Sequence, residues 1–215
     1  MRDHQDRFHQ ALKTLPLLAT LRGLVAADAL AIGHALKQAG WGLIEVPLAS
    51  PQALSSIERL ATSLPEVVVG AGMVMNVAEV RNARAAGAAM VVSPHVDAFV
   101  IRAARDAGLT CLAGIATPTE AFAALTAGVT ALALFPAEMV PPAALKALRA
   151  LLPLAVLLPA GGVTLETMGD YFNAGASGFA IGAALYRPGD GAATVAVAAA
   201  VFATALDAAT LSARG

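Results

Sequence analysis

The sequence predicts an α/β fold, a single (β/α)8 TIM barrel with an extra N-terminal helix, and three observations carry that prediction. Eight short apolar or β-branched runs begin near Leu17, Leu43, Val67, Ala89, Thr110, Ala131, Ala155 and Gly178. Their starts lie about 21 to 26 residues apart, the length of one strand, one helix and two short loops. Between them run alanine-rich amphipathic stretches of about 10 to 14 residues, good helix formers by propensity. Several of those stretches end in an Ala-Gly pair (Ala39-Gly40, Ala86-Gly87, Ala107-Gly108, Ala127-Gly128, Ala174-Gly175), where glycine fits the left-handed position that closes a helix. Strands apolar on both faces belong to a parallel sheet covered by helices. An open doubly wound sheet would have fewer, longer units and a glycine fingerprint after its first strand, where this chain has Arg22-Gly23.

Taken in order, residues 1–14 form the extra helix, with Arg2 to Lys13 as its body. Residues 15–187 form the barrel core, from LLATLRG through LIEVPLA, VVVGAGMV, AMVVSPH, TCLAGIA, ALALFPA and AVLLPAGG to GFAIGAALY. Residues 190–209 hold a closing helix around Thr194 to Leu206. No linker or composition break divides residues 1–215, so one domain is expected.

Composition narrows the function. Hydrophobic residues are 58%, charged residues 13% and the net charge is −1, which is too apolar for disorder and offers no basic footprint for nucleic acid. The apolar content is interrupted too often by Gly, Pro and charge for a spanning helix, so no membrane is expected. The N-terminal MRDHQDRFHQ is neither a signal nor a transit peptide, and the one cysteine suits a reducing compartment. A cytoplasmic protein is expected.

Barrels of this kind place chemistry at the carboxyl ends of their strands, so polar residues there are the candidates. Glu45 stands inside Leu43-Ile44-Glu45-Val46-Pro47. Burial raises a carboxylate's pKa and makes a general acid or base near neutrality; a structural ion pair with Arg22 is the other reading. Arg22 is then either a clamp for a carboxylate or phosphate, or simply the partner of Glu45. Gly161-Gly162 after strand seven and Gly182-Ala183 after strand eight fit a phosphate cradle or plain turns. His95 ends strand four and reads as a proton donor, a weak metal ligand or a solvated cap. His4, His9 and His34 fall in exposed helical segments, and Cys111 reads as a small core residue. No clustered metal-ligand pattern appears, so no metal and no cofactor are expected.

The motifs LPLLATLRG, IEVPLASPQ, VVGAGMV, VVSPH, GIATPTEAF, TALALFPAE, PAGGVT and FAIGAALYRPG follow one another in the order seen in the 2-keto-3-deoxy-6-phosphogluconate and -galactonate aldolases. The resemblance spans about Leu15 to Ala205. EVPLASP and LYRPG are similar to the phosphogalactonate branch, whereas FPAE leans to the other. The resemblance implies a class I aldolase, a homotrimer without metal, that cleaves a small phosphorylated keto acid to pyruvate and glyceraldehyde 3-phosphate. It implies proton transfer by Glu45, substrate binding by Arg22, Met73, Pro94, His95, Thr119 and Pro136, and phosphate binding by Gly161, Gly162, Gly182 and Ala183.

The family's Schiff-base lysine, within A-L-K-x-F-P, falls on Ala133 of Ala131-Leu132-Ala133-Leu134-Phe135-Pro136. The three lysines present, Lys13, Lys37 and Lys146, fall in predicted helices or at the entry to strand one. A methyl forms no imine, so the chain is expected to be inactive as a class I aldolase. Met73, His95, Ala113 and Ala183 also depart from the family pattern. Three readings stand: an aldolase disabled at Ala133, a diverged sugar-phosphate-binding homologue, or a lysine-independent lyase whose electron sink would need a metal on Glu45, His95 and Glu138.

Overall fold

The structure, a computed structural model, describes residues 2–212. Helix α1 (Arg2–Thr14) comes first, followed by β1 (Leu17–Thr20), α2 (Ala29–Gln38), β2 (Leu43–Pro47) and α3 (Ala53–Ser63). The alternation continues through β3 (Val68–Gly72), α4 (Val77–Ala85), β4 (Met90–Ser93), α5 (Ala98–Asp106), β5 (Thr110–Ile115) and α6 (Pro118–Ala127). Strand β6 (Ala131–Leu134), a 3-10 turn (Ala137–Met139), α7 (Pro142–Leu151), β7 (Leu157–Pro159), α8 (Leu165–Asn173), β8 (Phe179–Ile181) and α9 (Ala192–Ser212) complete it.

All pairs are parallel in the order β7-β6-β5-β4-β3-β2-β1-β8, and a bridge between Ala160 and Ala180 joins the two ends. The sheet is a TIM barrel. Strand β7 begins two residues beyond the expected Ala155, because the Ala155 N–H is taken by a turn bond to Leu152 O (3.3 Å). The five Ala-Gly pairs do close helices, each glycine lying at a φ between +74° and +102°.

Two apolar layers hold the ring. The outer one fills the space between sheet and helices and includes Trp41, whose indole N–H donates to Ala199 O (3.2 Å) and ties α9 to the wall. The inner one gathers Leu18, Leu43, Val68, Met90, Leu112 and Leu158 around Phe8 and Leu12 of α1. Burying each such side chain contributes about 1.5–3 kcal/mol. Because α1 packs on β2, β3 and β5, it plugs the amino end of the barrel and leaves room only at the carboxyl end. His4 and His9, expected to be exposed, are half-buried for the same reason, and His9 Nδ1 lies 2.7 Å from Gln5 O. Among the described residues no helix is long and apolar enough to cross a membrane.

Candidate active site

A cavity of about 480 Å³ opens at the carboxyl end of the barrel. Its floor is apolar, made by Leu18, Val92, Leu112, Leu158, Ala180 and the methyl of Ala133. Polar groups enter from β1, β2, β4 and the loops after β7 and β8.

Glu45 is the buried charge of the site. It lines the cavity from the centre of β2 and is 4% exposed. Its Oε2 has no hydrogen-bond partner. Burial pushes its pKa up to about 7, and a hydrogen bond to the Thr20 hydroxyl and the charge of Arg22 offset only part of that rise. Thr20 stands beside it because β1 and β2 pair in register, Thr20 against Glu45. Neither Arg22 nor Glu45 enters an ion pair among the described residues. Arg22 therefore does not bridge to Glu45; it sits exposed at the rim and acts on the carboxylate through its field.

The glycine that makes room for Glu45 is Gly72, the last residue of β3. A methyl placed on Gly72 would overlap the Glu45 carboxylate. Since nothing in its backbone requires glycine, space is the reason for it. Gly72→Ala is expected to cost about 2 kcal/mol in urea unfolding, the usual scale for overpacking. In a double-mutant cycle most of that cost should disappear on Glu45→Ala; additive costs would mean that the two groups do not share this space.

The two loops opposite carry the other polar groups. Gly161 and Gly162 adopt φ of +79° and +76° and line the cavity with Gly182 and Ala183. Among the described residues the N–H groups of Gly162, Gly182 and Ala183 enter no turn or loop hydrogen bond, so they remain available to an anion. The side chain of Glu138 lies directly over Gly162, where a methyl would collide with it. Met73 also lines the cavity, in the left-handed region at φ +55°, a strain of about 1 kcal/mol or more for a residue with a Cβ.

Pro94 lines the cavity, but His95, Thr119 and Pro136 do not. His95 is exposed, its Nδ1 lying 3.3 Å from Ser93 Oγ. Thr119 is exposed in the first turn of α6, because a capping box between Thr117 and Glu120 starts that helix directly after β5. Pro136 sits behind Gly161, its Cα 3.5 Å from the position of a Cβ there, while Phe135 takes the lining place. Among the described residues no three His, Cys, Asp or Glu side chains stand together as a metal site, so Glu45, His95 and Glu138 do not form the ligand set that a lysine-independent lyase would need. Lys13, Lys37 and Lys146 are exposed on α1, α2 and α7 and stay outside the cavity. Cys111 is buried in β5, and burial pushes its thiol up to about 12.

Thr20, Tyr186 and Arg187, which the sequence did not single out, also line the cavity, as do Ser93 at the end of β4 and Thr164 after the Gly161-Gly162 turn. The arrangement provides a deep acid-base group, a guanidinium at the rim and a glycine cradle. It suits a small anionic ligand that also offers a hydrogen-bond donor to Glu45.

The comparisons with known proteins agree with this geometry. The family described as KDPG and KHG aldolase matches residues 8–190. The 2-dehydro-3-deoxy-6-phosphogalactonate aldolase of Escherichia coli (strain K12) is 40% identical over 190 residues, covering 87% of this chain and 93% of that protein. A solved structure described as native KDPGal superposes with a TM-score of 0.90 at 38% identity, covering 92% of this chain and 97% of that one. A cube-shaped protein cage designed by fusing symmetric oligomeric domains superposes at 0.91, with 38% identity, over 93% of this chain and 75% of that one. With a family match over most of its length and a barrel whose open end carries these groups, the chain belongs to the KDPG and KHG aldolase family.

Proposed function

We propose that this cavity binds a 2-keto-3-deoxy-6-phospho sugar acid, the galactonate epimer in preference to the gluconate, and that the chain does not cleave it through an enzyme-bound imine. One observation carries the reading. The cavity holds a buried carboxylate at Glu45 whose Oε2 has no partner and two glycine loops, yet presents only a methyl at Ala133 on β6. Sequence similarity to a phosphogalactonate aldolase supports the epimer.

In this reading Arg22 receives the ligand's carboxylate, and the N–H groups of Gly161, Gly162, Gly182 and Ala183 receive its phosphate. Glu45, its pKa raised to about 7 by burial, accepts a hydrogen bond from the C4 hydroxyl. Cleavage would send that hydroxyl's proton to Glu45 and the C3–C4 electron pair into the neighbouring carbonyl. The family resemblance assigns the acceptor role to a protonated imine on a lysine, and the three lysines of this chain lie outside the cavity. No metal or cofactor enters the scheme. The assembly is a cytoplasmic homotrimer; the oligomeric domains of the designed cage support association of this barrel.

Titration calorimetry on the intact chain tests the reading. 2-Keto-3-deoxy-6-phosphogalactonate should bind at least about 10-fold more tightly than its unphosphorylated counterpart, a preference of about 1.4 kcal/mol, while pyruvate release stays at the buffer rate. Absence of binding, or equal affinity for the two ligands, would remove the phosphate assignment. Rapid pyruvate release would remove the assignment of Ala133 as the missing electron sink.

A further inference from the structure

We infer that Arg187 is a phosphate-binding residue, a second guanidinium that closes on the anion held by the loop after β8. The inference deepens the proposed function and rests on it. The loop is built to return this side chain to the cavity. The N–H groups of Leu185 and Tyr186 both donate to Gly182 O (2.8 and 3.0 Å), which folds the chain back on itself directly after the glycine. The Arg187 N–H then donates to the Asp190 carboxylate (2.7 Å), fixing the backbone at the next turn.

The side chain is aimed from the same place. Arg187 Nε donates to Ala183 O at 3.3 Å, so the guanidinium is tethered at its inner nitrogen beside the peptide that would hold the anion. Arg187 lines the cavity, and among the described residues it enters no ion pair. The neighbouring Pro188 packs on Gly23, where a Cβ would come within 2.6 Å of the proline ring. That contact brings the segment after Arg22 against the segment after Arg187, and both arginines, exposed to solvent, line the cavity. The Asp190 carboxylate already accepts from the Arg187 backbone.

The chemistry explains why a second cation belongs here. Backbone N–H groups at Gly182 and Ala183 supply neutral donors, and Ala183 adds no hydroxyl. A phosphate monoester carries nearly two negative charges, and the planar fork of a guanidinium matches its oxygens with two parallel N–H donors. Glu138, lying over Gly162 on the other side of the cradle, adds a negative charge that a cation at Arg187 would balance.

The experiment compares Arg187→Gln and Arg187→Lys with the parent, using calorimetry with 2-keto-3-deoxy-6-phosphogalactonate and with unphosphorylated 2-keto-3-deoxygalactonate, over a range of salt. Arg187→Gln should weaken the phosphorylated ligand about 10- to 100-fold and leave the unphosphorylated one unchanged. Its affinity should also depend less on salt than the parent's, and Arg187→Lys should recover part of the loss. Equal weakening of both ligands would assign Arg187 to loop structure, and unchanged affinity for both would remove it from the site; either overturns the inference and leaves the proposed function standing. A parent that binds the two ligands equally overturns both.

Discussion

Ala133→Lys is expected to release pyruvate from 2-keto-3-deoxy-6-phosphogalactonate faster than the parent chain by on the order of 10⁴- to 10⁶-fold, the scale on which removal of a covalent catalytic group is felt. The position is suited to the change. Ala133 lies in the middle of β6, 4% exposed, paired with Gly114 on one side and Leu158 on the other, and its methyl faces the cavity. In a ring of eight strands, β6 stands four strands from β2, so an amine at 133 would reach across toward Glu45. The apolar floor would disfavour the ammonium form and keep part of the amine nucleophilic. A second readout separates imine chemistry from general binding: borohydride with pyruvate should inactivate the variant and add the mass of a reduced adduct, and should leave the parent unmodified. Turnover by the parent at the variant's rate would refute the role given to residue 133. A variant that binds ligand yet does not turn over would place the deficit elsewhere in the site, with the cavity-lining Met73 and Ala183, which offer no side-chain hydroxyl, as the next positions to change.

The barrel is legible in the sequence because its signals are local and repeated. Each strand is a short apolar run, and each Ala-Gly pair states where a helix must stop. Glu45 is legible for a related reason: a carboxylate within LIEVP has no apolar account, and strand ends of barrels face the site. The groups around it depend on neighbours distant in sequence. Thr20 is an ordinary strand residue until β1 and β2 are set in register, and Gly72 is an ordinary glycine until the Glu45 side chain is placed over it. Arg187 belongs to a loop whose direction is decided by two hydrogen bonds to Gly182 O. Thr119 is different, because Thr117-Pro118-Thr119-Glu120 already has the form of a capping box and puts Thr119 inside a helix rather than at a strand mouth.

Glu45→Gln is expected to make stability less dependent on pH, and the sign follows from the raised pKa. In the unfolded chain the carboxyl ionises near 4.5, whereas in the folded barrel it holds its proton to about 7. Below pH 4.5 both states are protonated and Glu45 costs nothing through ionisation. Between 4.5 and 7 the unfolded state loses its proton first, so the folded state loses ground by ~1.4 kcal/mol per pH unit and about 3 kcal/mol in all. Glutamine has the shape of the protonated acid and does not titrate. Urea unfolding at pH 4 and pH 8 should therefore show the variant gaining on the parent by about 3 kcal/mol between the two. Parallel pH curves would mean that Glu45 is not held neutral by burial. The same substitution made together with Ala133→Lys should lower the gained pyruvate release by at least about 10²-fold, the lower end for a general acid-base group. A stability cost that grows from pH 4.5 to 7, found together with loss of the gained turnover, would identify Glu45 as the proton-transfer group, with its unpartnered Oε2 as the atom that receives the substrate's proton.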